Sequence, residues 1–244
     1  SGSVNPVTGE AIQMDEMTVG WLGKENVAPR VILTEGGSMT DIYVYNQLTK
    51  DNNGNIKVDQ NGNLGITSSN TPVKVGNLDA DFNLGWTNHF TYKGIDLGVV
   101  LSARVGGLAY TATQGILDYY GVSETSATAR DNGGIPINNG KVNAQKYYQT
   151  IGTGEGGYGR YYLYSATNVR LQELSLNYTL PKRWFKNVAN VTLGIVGRNL
   201  WMIYCKAPFD PELSASTSSN YYMNVDYFMQ PSLRNFGFNV KVQF

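Results

Sequence analysis

A single cysteine, a single histidine and the lack of any unbroken run of 18 apolar residues set the first limits on this 244-residue chain. Without such a run no transmembrane helix can be drawn. Cys205 has no partner for an internal disulfide and reads as a small buried or loop residue. His89 has no second histidine to complete an ordinary metal site or a hydrolytic triad, so no catalytic residue, metal or cofactor is assigned. Charge is scarce too. Charged residues make up 16% of the chain, against roughly 25% in soluble domains, and 19 Lys and Arg cancel 19 Asp and Glu. A balance of zero argues against the clustered cations that a nucleic-acid partner demands. The opening Ser1-Gly2-Ser3-Val4-Asn5-Pro6 lacks the basic and apolar blocks of a secretory leader, as expected of a processed chain or an internal piece.

What the chain has in excess is glycine and tyrosine, 28 and 17 residues, a composition suited to many strands joined by turns. Its closing stretch shows why. Phe236, Phe238, Val240, Val242 and Phe244 fall on one parity, while Asn235, Gly237, Asn239, Lys241 and Gln243 fall on the other. Period two marks a strand with one apolar face, which either lines a soluble core or faces lipid with its polar side toward a wet lumen. The same alternation runs through Asp81 to Tyr92, where Phe82, Leu84, Trp86, Phe90 and Tyr92 share a face broken only by Asn88. Past a tight Lys93-Gly94 turn it switches register to Ile95, Leu97, Val99, Leu101, Ala103 and Val105. It returns from Asn168, with Leu174, Leu176, Tyr178 and Leu180 against Glu173, Ser175, Asn177 and Thr179. After the short connection from Pro181 to Asn187 it resumes at Val191, Leu193 and Ile195, opposed by Thr192, Gly194 and Arg198.

The first 76 residues are less regular. Apolar alternation suggests short strands over Val27 to Leu33 and Ile42 to Tyr45, separated by a Gly36-Gly37 turn. Asp51 to Asn63 invites a calcium reading. An EF-hand loop begun at Asp51 or Asp59 would carry Ile56 or Leu64 where glycine is required, so two Asn-Gly turns flanking a short Ile56 to Val58 strand are expected instead. Residues 108–165 read as a long connection rich in Tyr, Gly, Ser and Thr. Its Gly152-Thr153-Gly154-Glu155-Gly156-Gly157 matches a dinucleotide fingerprint in letters only, since Tyr158-Gly159-Arg160-Tyr161-Tyr162 does not continue as the helix such a motif needs.

Counting strand directions back from Phe244 puts the turns at 93–94 and 181–189 at one end, with the long connections 108–165 and 203–231 at the other. Short turns on one side and long loops on the other are the habit of outer-membrane barrels. Aromatic residues gather near both ends: Phe90, Tyr92, Tyr178, Trp184 and Phe244 by the short turns, and Trp201 and Tyr204 by the long loops. Such girdles mark membrane interfaces.

Several segments then resemble a known family in order. Asn168-Val169-Arg170-Leu171-Gln172-Glu173-Leu174-Ser175-Leu176-Asn177-Tyr178-Thr179-Leu180-Pro181, Gly197-Arg198-Asn199-Leu200-Trp201, Pro208-Phe209-Asp210-Pro211-Glu212 and the aromatic closing strand are similar to the C-terminal part of SusC/RagA-type TonB-dependent transporters. Gly76-Asn77-Leu78-Asp79-Ala80-Asp81-Phe82 adds to the likeness. The resemblance implies an all-β fold of antiparallel transmembrane β-barrel strands, the C-terminal portion of a roughly 22-stranded barrel. In that arrangement 1–76 holds strands and loops of the barrel, and 77–244 its C-terminal strands with extracellular loops 108–165 and 203–231. A chain of this length cannot supply 22 crossings, so a fragment or one piece of a split transporter is expected.

By the same resemblance, the function is part of an outer-membrane, TonB-dependent nutrient importer for glycans or peptides. The implied partners are a SusD-like surface lipoprotein lid, the rest of the barrel and its plug domain, TonB through that plug, and outer-membrane lipid. Tyr158, Tyr161, Tyr162, Tyr221 and Tyr222 are the candidates for substrate or lid contact, and Phe236, Phe238 and Phe244 for the barrel-assembly signal. Asp96, Arg104, Glu173 and Arg198 are expected to pair across the wall or with the plug rather than to bind substrate. A self-contained small β-barrel or soluble β-sandwich that binds carbohydrate is the alternative. An enzyme ranks last, because no nucleophile with a base and an orienting group can be assembled.

Overall fold

The structure, a computed structural model, describes residues 16–21, 27–154, 156–212 and 224–243. Tyr221, Tyr222 and Phe244 lie outside them. Strands β1 (Glu16–Trp21), β2 (Arg30–Thr34), β3 (Asp41–Leu48) and β4 (Ile66–Asn77) form a four-stranded antiparallel sheet in sequence order. The chain then enters a long hairpin, β5 (Phe82–Tyr92) and β6 (Ile95–Val105). Its two-residue turn has positive φ at both Lys93 and Gly94, 47° and 86°. That is the type I′ geometry whose twist matches the strands, and the glycine carries the more strained position.

The long connection 108–165 carries secondary structure of its own. It holds β7 (Leu108–Thr111), α1 (Ala112–Tyr119), α2 (Glu124–Asp131), β8 (Ile135–Ile137), β9 (Gly140–Val142) and α3 (Ala144–Ile151). These are followed by the small hairpin β10 (Gly152–Thr153) and β11 (Gly156–Gly157), the turn α4 (Gly159–Tyr162) and β12 (Leu163–Ser165). Thr111, Ser123 and Asn143 each cap a helix by accepting a backbone N–H with the side-chain oxygen. This satisfies an amide that would otherwise be orphaned at the helix start.

Two long strands, β13 (Asn168–Thr179) and β14 (Asn190–Cys205), come next, joined by a short turn that includes one 3-10 turn, Lys182–Phe185. The short β15 (Val225–Asp226) and the closing β16 (Asn235–Gln243) complete the chain. β15 runs parallel to β7 in a small three-stranded sheet, with β7 between it and the antiparallel β12.

The second large sheet has the order β16-β14-β13-β6-β5, antiparallel throughout. Its register carries rows of apolar side chains straight across. Tyr92, Ile95, Tyr178, Leu193 and Val240 make one row, and Phe90, Leu97, Leu176, Ile195 and Phe238 the next. The opposite face carries Thr91, Asp96, Asn177, Gly194 and Asn239, then His89, Gly98, Ser175, Val196 and Gly237. Because the pleat alternates, a one-residue slip in any strand would mix these faces. Short turns and the end of β16 share one edge of this sheet, and the long connections leave from the other, as the direction count requires.

The hydrophobic core lies elsewhere. Val31, Ile42 and Leu48 of the first sheet pack with Leu78, Tyr110, Ile137, Val142, Ile151, Tyr162 and Val225. Residues 27–78 and 108–165 therefore share a cap at the long-loop end. No ladder joins β1–β4 to the five-stranded sheet among the described residues. The described part of 1–76, expected as barrel strands and loops, thus builds a sheet packed on the 108–165 segment.

Candidate functional site

Three of the segments singled out in the sequence converge at the long-loop end of the five-stranded sheet. Arg170 of β13 is nearly buried, with its side chain 3% exposed, and meets Asp210, 7% exposed, in a two-pronged ion pair. One prong joins the Arg170 Nη1 to Asp210 Oδ2 at 3.1 Å and the other joins Nη2 to Oδ1. The Arg170 Nε donates to Asn168 Oδ1 at 3.1 Å and lies 3.5 Å from Glu212 Oε2. Nη1 also donates to the side-chain oxygen of Asn199 at 3.4 Å. A planar fork satisfied on every side is the geometry that makes a buried guanidinium tolerable.

Asp210 is gripped in turn by Ser232. The hydroxyl and backbone N–H of Ser232 donate to Asp210 Oδ2 at 2.6 and 3.4 Å, and the N–H of Glu212 donates to Oδ1 at 3.1 Å. Burial alone would raise this carboxyl, but the hydrogen bonds from Arg170, Ser232 and the Glu212 N–H hold it below the usual carboxylate range. Asn199 completes the clasp. It sits on β14 at a positive φ of 52°, which an Asn tolerates, and its amide donates to the carbonyls of Ser232 and Leu233 at 3.0 and 3.4 Å. The clasp therefore ties β13, β14, the 208–212 loop and the residues leading into β16. Its outer surface lines a 380 Å³ depression with Met202, Phe209 and Arg234.

The polar face of the sheet carries an ion pair on adjacent strands, Arg198 Nε to Glu173 Oε2 at 2.7 Å, as anticipated for these two residues. Asp96 accepts from Thr91 at 2.8 Å, and Arg104 donates to the Leu78 carbonyl at 2.7 Å. The apolar face stays uncovered. Trp86 is 48% exposed, Ile195 56% and Phe238 68%. Trp184 and Trp201 stand exposed near opposite ends of it.

The tyrosines expected at a substrate or lid contact are built differently. Tyr162 is 1% exposed, and its hydroxyl donates to the buried Asp118 at 3.1 Å. Burial raises its pKa, with the Asp118 charge adding to the effect. Asp118 is also held by Gln114 at 2.8 Å, Thr125 at 2.9 Å and Ser123. Tyr162 is thus a core residue, a correction to its proposed contact role. Tyr161 is half-buried, and its hydroxyl accepts the Leu48 N–H at 2.7 Å, pinning α4 to β3. Tyr158 is half-buried at the start of α4. Tyr221 and Tyr222 lie outside the described residues. Phe236 and Phe238 stand 79% and 68% exposed on β16.

The glycine-rich run serves packing. A Cβ on Gly115 of α1 would fall 2.5 Å from the Gly156 carbonyl carbon, and one on Gly157 would fall 2.1 Å from the Tyr162 ring. Only glycines let the helix and ring approach this hairpin. Tyr110 closes the contact, donating to the Gly157 carbonyl at 2.7 Å, and burial pushes its hydroxyl up to about 12. In the Asp51 to Asn63 stretch, each Asp accepts two backbone N–H groups from its own turn at 2.7–2.9 Å. Those bonds lower both carboxyls and build the two Asn-Gly turns.

No protein-family model matches the chain. It is 27% identical over 203 residues to TonB-dependent receptor P3 of Formosa agariphila, a match covering 80% of this chain and 19% of that protein. The RagAB peptide importer in its closed-closed state superposes with a TM-score of 0.56 at 17% identity, over 95% of this chain and 25% of that one. The RagAB peptide transporter gives 0.57 at 18% identity, over 94% and 24%. The chain resembles part of a SusC/RagA-type TonB-dependent transporter. It spans about a quarter or less of the proteins it matches. At these identities the structural likeness bears on the fold alone, which is mostly strands in antiparallel sheets, with no helix among the described residues long and apolar enough to cross a membrane. The proteins it resembles are named as a receptor and as importers, not as enzymes.

Within this SusC/RagA-like segment, the clasp is what sequence reasoning missed. Arg170, Asn199, Asp210 and Glu212 each fall in a family-like segment, yet nothing in periodicity brings residues 40 positions apart together.

Proposed function

We propose that this chain forms part of the wall and outer cap of an outer-membrane, TonB-dependent nutrient importer. One observation carries the reading: a five-stranded antiparallel sheet whose aromatic and aliphatic face is exposed across every strand, while the other face is polar and ion-paired. In water such a face would be an aggregation liability; against lipid it is a solvent match. The free sides of β5 and β16 are where further strands of a larger barrel would pair, and closing them would remove exposed edges. The likeness to a TonB-dependent receptor and to RagAB importers supports energy-coupled uptake, a lipoprotein partner and an outer-membrane location. The cap over the long-loop end, with the 203–231 connection, is where substrate and lid would be met. Peptide is favoured over glycan as cargo, because the solved structures the chain superposes on are a peptide importer and a peptide transporter.

The test is insertion of arginine on either face of the parent transporter. Leu193→Arg and Val99→Arg should impair membrane assembly, at a cost of roughly 2–4 kcal/mol near the bilayer midplane. Thr192→Arg, on the polar face, should assemble nearly normally. Equal tolerance of all three would sink the reading.

A further inference from the structure

The cations and anions of the chain cancel in total, but not at the short-turn end of the five-stranded sheet. Residues 87–98, 175–195 and 237–243 make up that end, and they hold five cations, Lys93, Lys182, Arg183, Lys186 and Lys241, against one carboxylate, Asp96. Asp96 accepts from Thr91 at 2.8 Å. None of the five cations makes an ion pair among the described residues. Like charges gathered on one rim repel one another, and an anionic surface laid against them offsets that cost.

Four of the five belong to two turns that the fold holds side by side. The Thr179 N–H donates to the Gly94 carbonyl at 2.7 Å, which sets the Lys93-Gly94 turn beside the end of β13. A Cβ on Gly94 would fall 2.9 Å from the Thr179 carbonyl oxygen, so the approach needs glycine there. The next turn closes on itself. The N–H groups of Trp184, Asn187 and Val188 donate to the carbonyls of Pro181, Lys182 and Phe185, each at 3.0 Å. It thus presents Lys182, Arg183, Trp184 and Lys186, all exposed, from a backbone whose amides are already paired.

Lys93 shows which face the charge serves. Its ammonium stands 5.2 Å over the centroid of the Tyr92 ring. Tyr92 heads the apolar row that continues through Ile95, Tyr178, Leu193 and Val240. The cation therefore lies at the edge of the apolar face. A lysine stem along apolar surface with its head at the margin, near an exposed tryptophan-bearing turn, is suited to the boundary between acyl chains and phosphates. Lys241 differs, since it pairs with Thr192 on the polar face.

We infer that this rim binds the headgroups of anionic phospholipids, with Lys93, Lys182, Arg183 and Lys186 on the phosphates and Trp184 at headgroup depth. The inference deepens the importer reading and rests on it for placing the apolar face in lipid and the short turns at the periplasmic leaflet. It adds a headgroup selectivity that the importer reading does not require.

The experiment is fluorescence quenching of two single-tryptophan forms of the full chain in mixed micelles. One keeps Trp184, with Trp21, Trp86 and Trp201 changed to Phe, and the other keeps Trp201, with Trp21, Trp86 and Trp184 changed to Phe. The quenchers are phosphatidylglycerol and phosphatidylcholine carrying the same brominated acyl chains, in competition with their unbrominated forms. Trp184 should favour phosphatidylglycerol by roughly fivefold or more, about the effect of one cation near an anionic surface. Trp201, at the long-loop end, should show no preference. The triple variant K182Q/R183Q/K186Q should lose most of the preference at Trp184, and Lys93→Gln should lower it. Lys241→Gln, at the same end but on the polar face, should leave it unchanged. Quenching by phosphatidylcholine should be the same in every variant, which checks that the sheet is intact. Equal quenching of Trp184 by both lipids, a full preference in the triple variant, or a preference that Lys241→Gln abolishes overturns the inference alone. No quenching of either tryptophan by either lipid takes the apolar face out of the bilayer and overturns the importer reading with it.

Discussion

Asp210→Ala cuts the clasp at its centre. The change leaves the Arg170 guanidinium, 3% exposed, without its two-pronged partner, and frees the Ser232 hydroxyl and N–H as well. Breaking a buried pair from one side costs about 3–5 kcal/mol, because a charge stays desolvated and uncompensated. Glu212, 3.5 Å from the Arg170 Nε, remains to offset part of that, so the low end, about 3 kcal/mol, is expected. Removing both charges together as Arg170→Met with Asp210→Leu should cost clearly less, since no orphaned ion remains. Equilibrium urea unfolding of the chain in detergent, read by tryptophan fluorescence, measures all three proteins, and proteolysis within 203–231 reports whether the loop has come loose. The clasp also has a pH signature. Its carboxyl is depressed in the folded state, so its contribution is complete above the unfolded value, about 4, and is lost as pH falls through the lower folded one. Stability attributable to Asp210 should therefore be flat from pH 5 to 8 and drain away only in stronger acid, a loss that Asp210→Asn should lack. If Asp210→Ala and the double variant were equally unstable, the orphaned-charge account would be refuted.

Other perturbations follow from the cap and the polar face. Gly157→Ala drives a methyl to within 2.1 Å of the Tyr162 ring, so an overpacking cost of about 1–3 kcal/mol is expected by thermal unfolding. Tyr162→Phe withdraws a donor from the buried Asp118 and should cost about 1–3 kcal/mol without altering the secondary structure seen by circular dichroism. Arg198→Ala breaks a pair whose arginine side chain is 65% exposed, and should change stability by no more than about 1 kcal/mol in the same unfolding assay.

How much of this was legible in the sequence depended on whether the signal was local. In β5, β6 and β16 the pleat alone sets which side chains share a face, so parity along the chain translated directly into the rows across the sheet. Parity failed where the backbone adds a residue. The ladder slips between Leu171 and Glu173, which puts Val169 and Leu171 on the same face as Leu174 although their numbers disagree. The cap was hidden for a different reason. Its helices α1, α2 and α3 are eight residues each, too short for a convincing helical period. The signals that were present, Thr111, Ser123 and Asn143 as caps, are common turn residues as well, and weigh little without the packing that selects helix.

The chemistry of tyrosine is two-sided. A ring that stacks on a ligand also fills a core, and what decides is whether the hydroxyl finds a buried partner. For Tyr162 that partner is Asp118, and for Tyr161 it is the Leu48 amide, each separated from it by dozens of residues. The same distance in sequence conceals the clasp. The segments carrying the family likeness are therefore tied together by contact: Arg170, Asn199 and Asp210 hold one another and the approach to β16, so each letter is constrained by the other two.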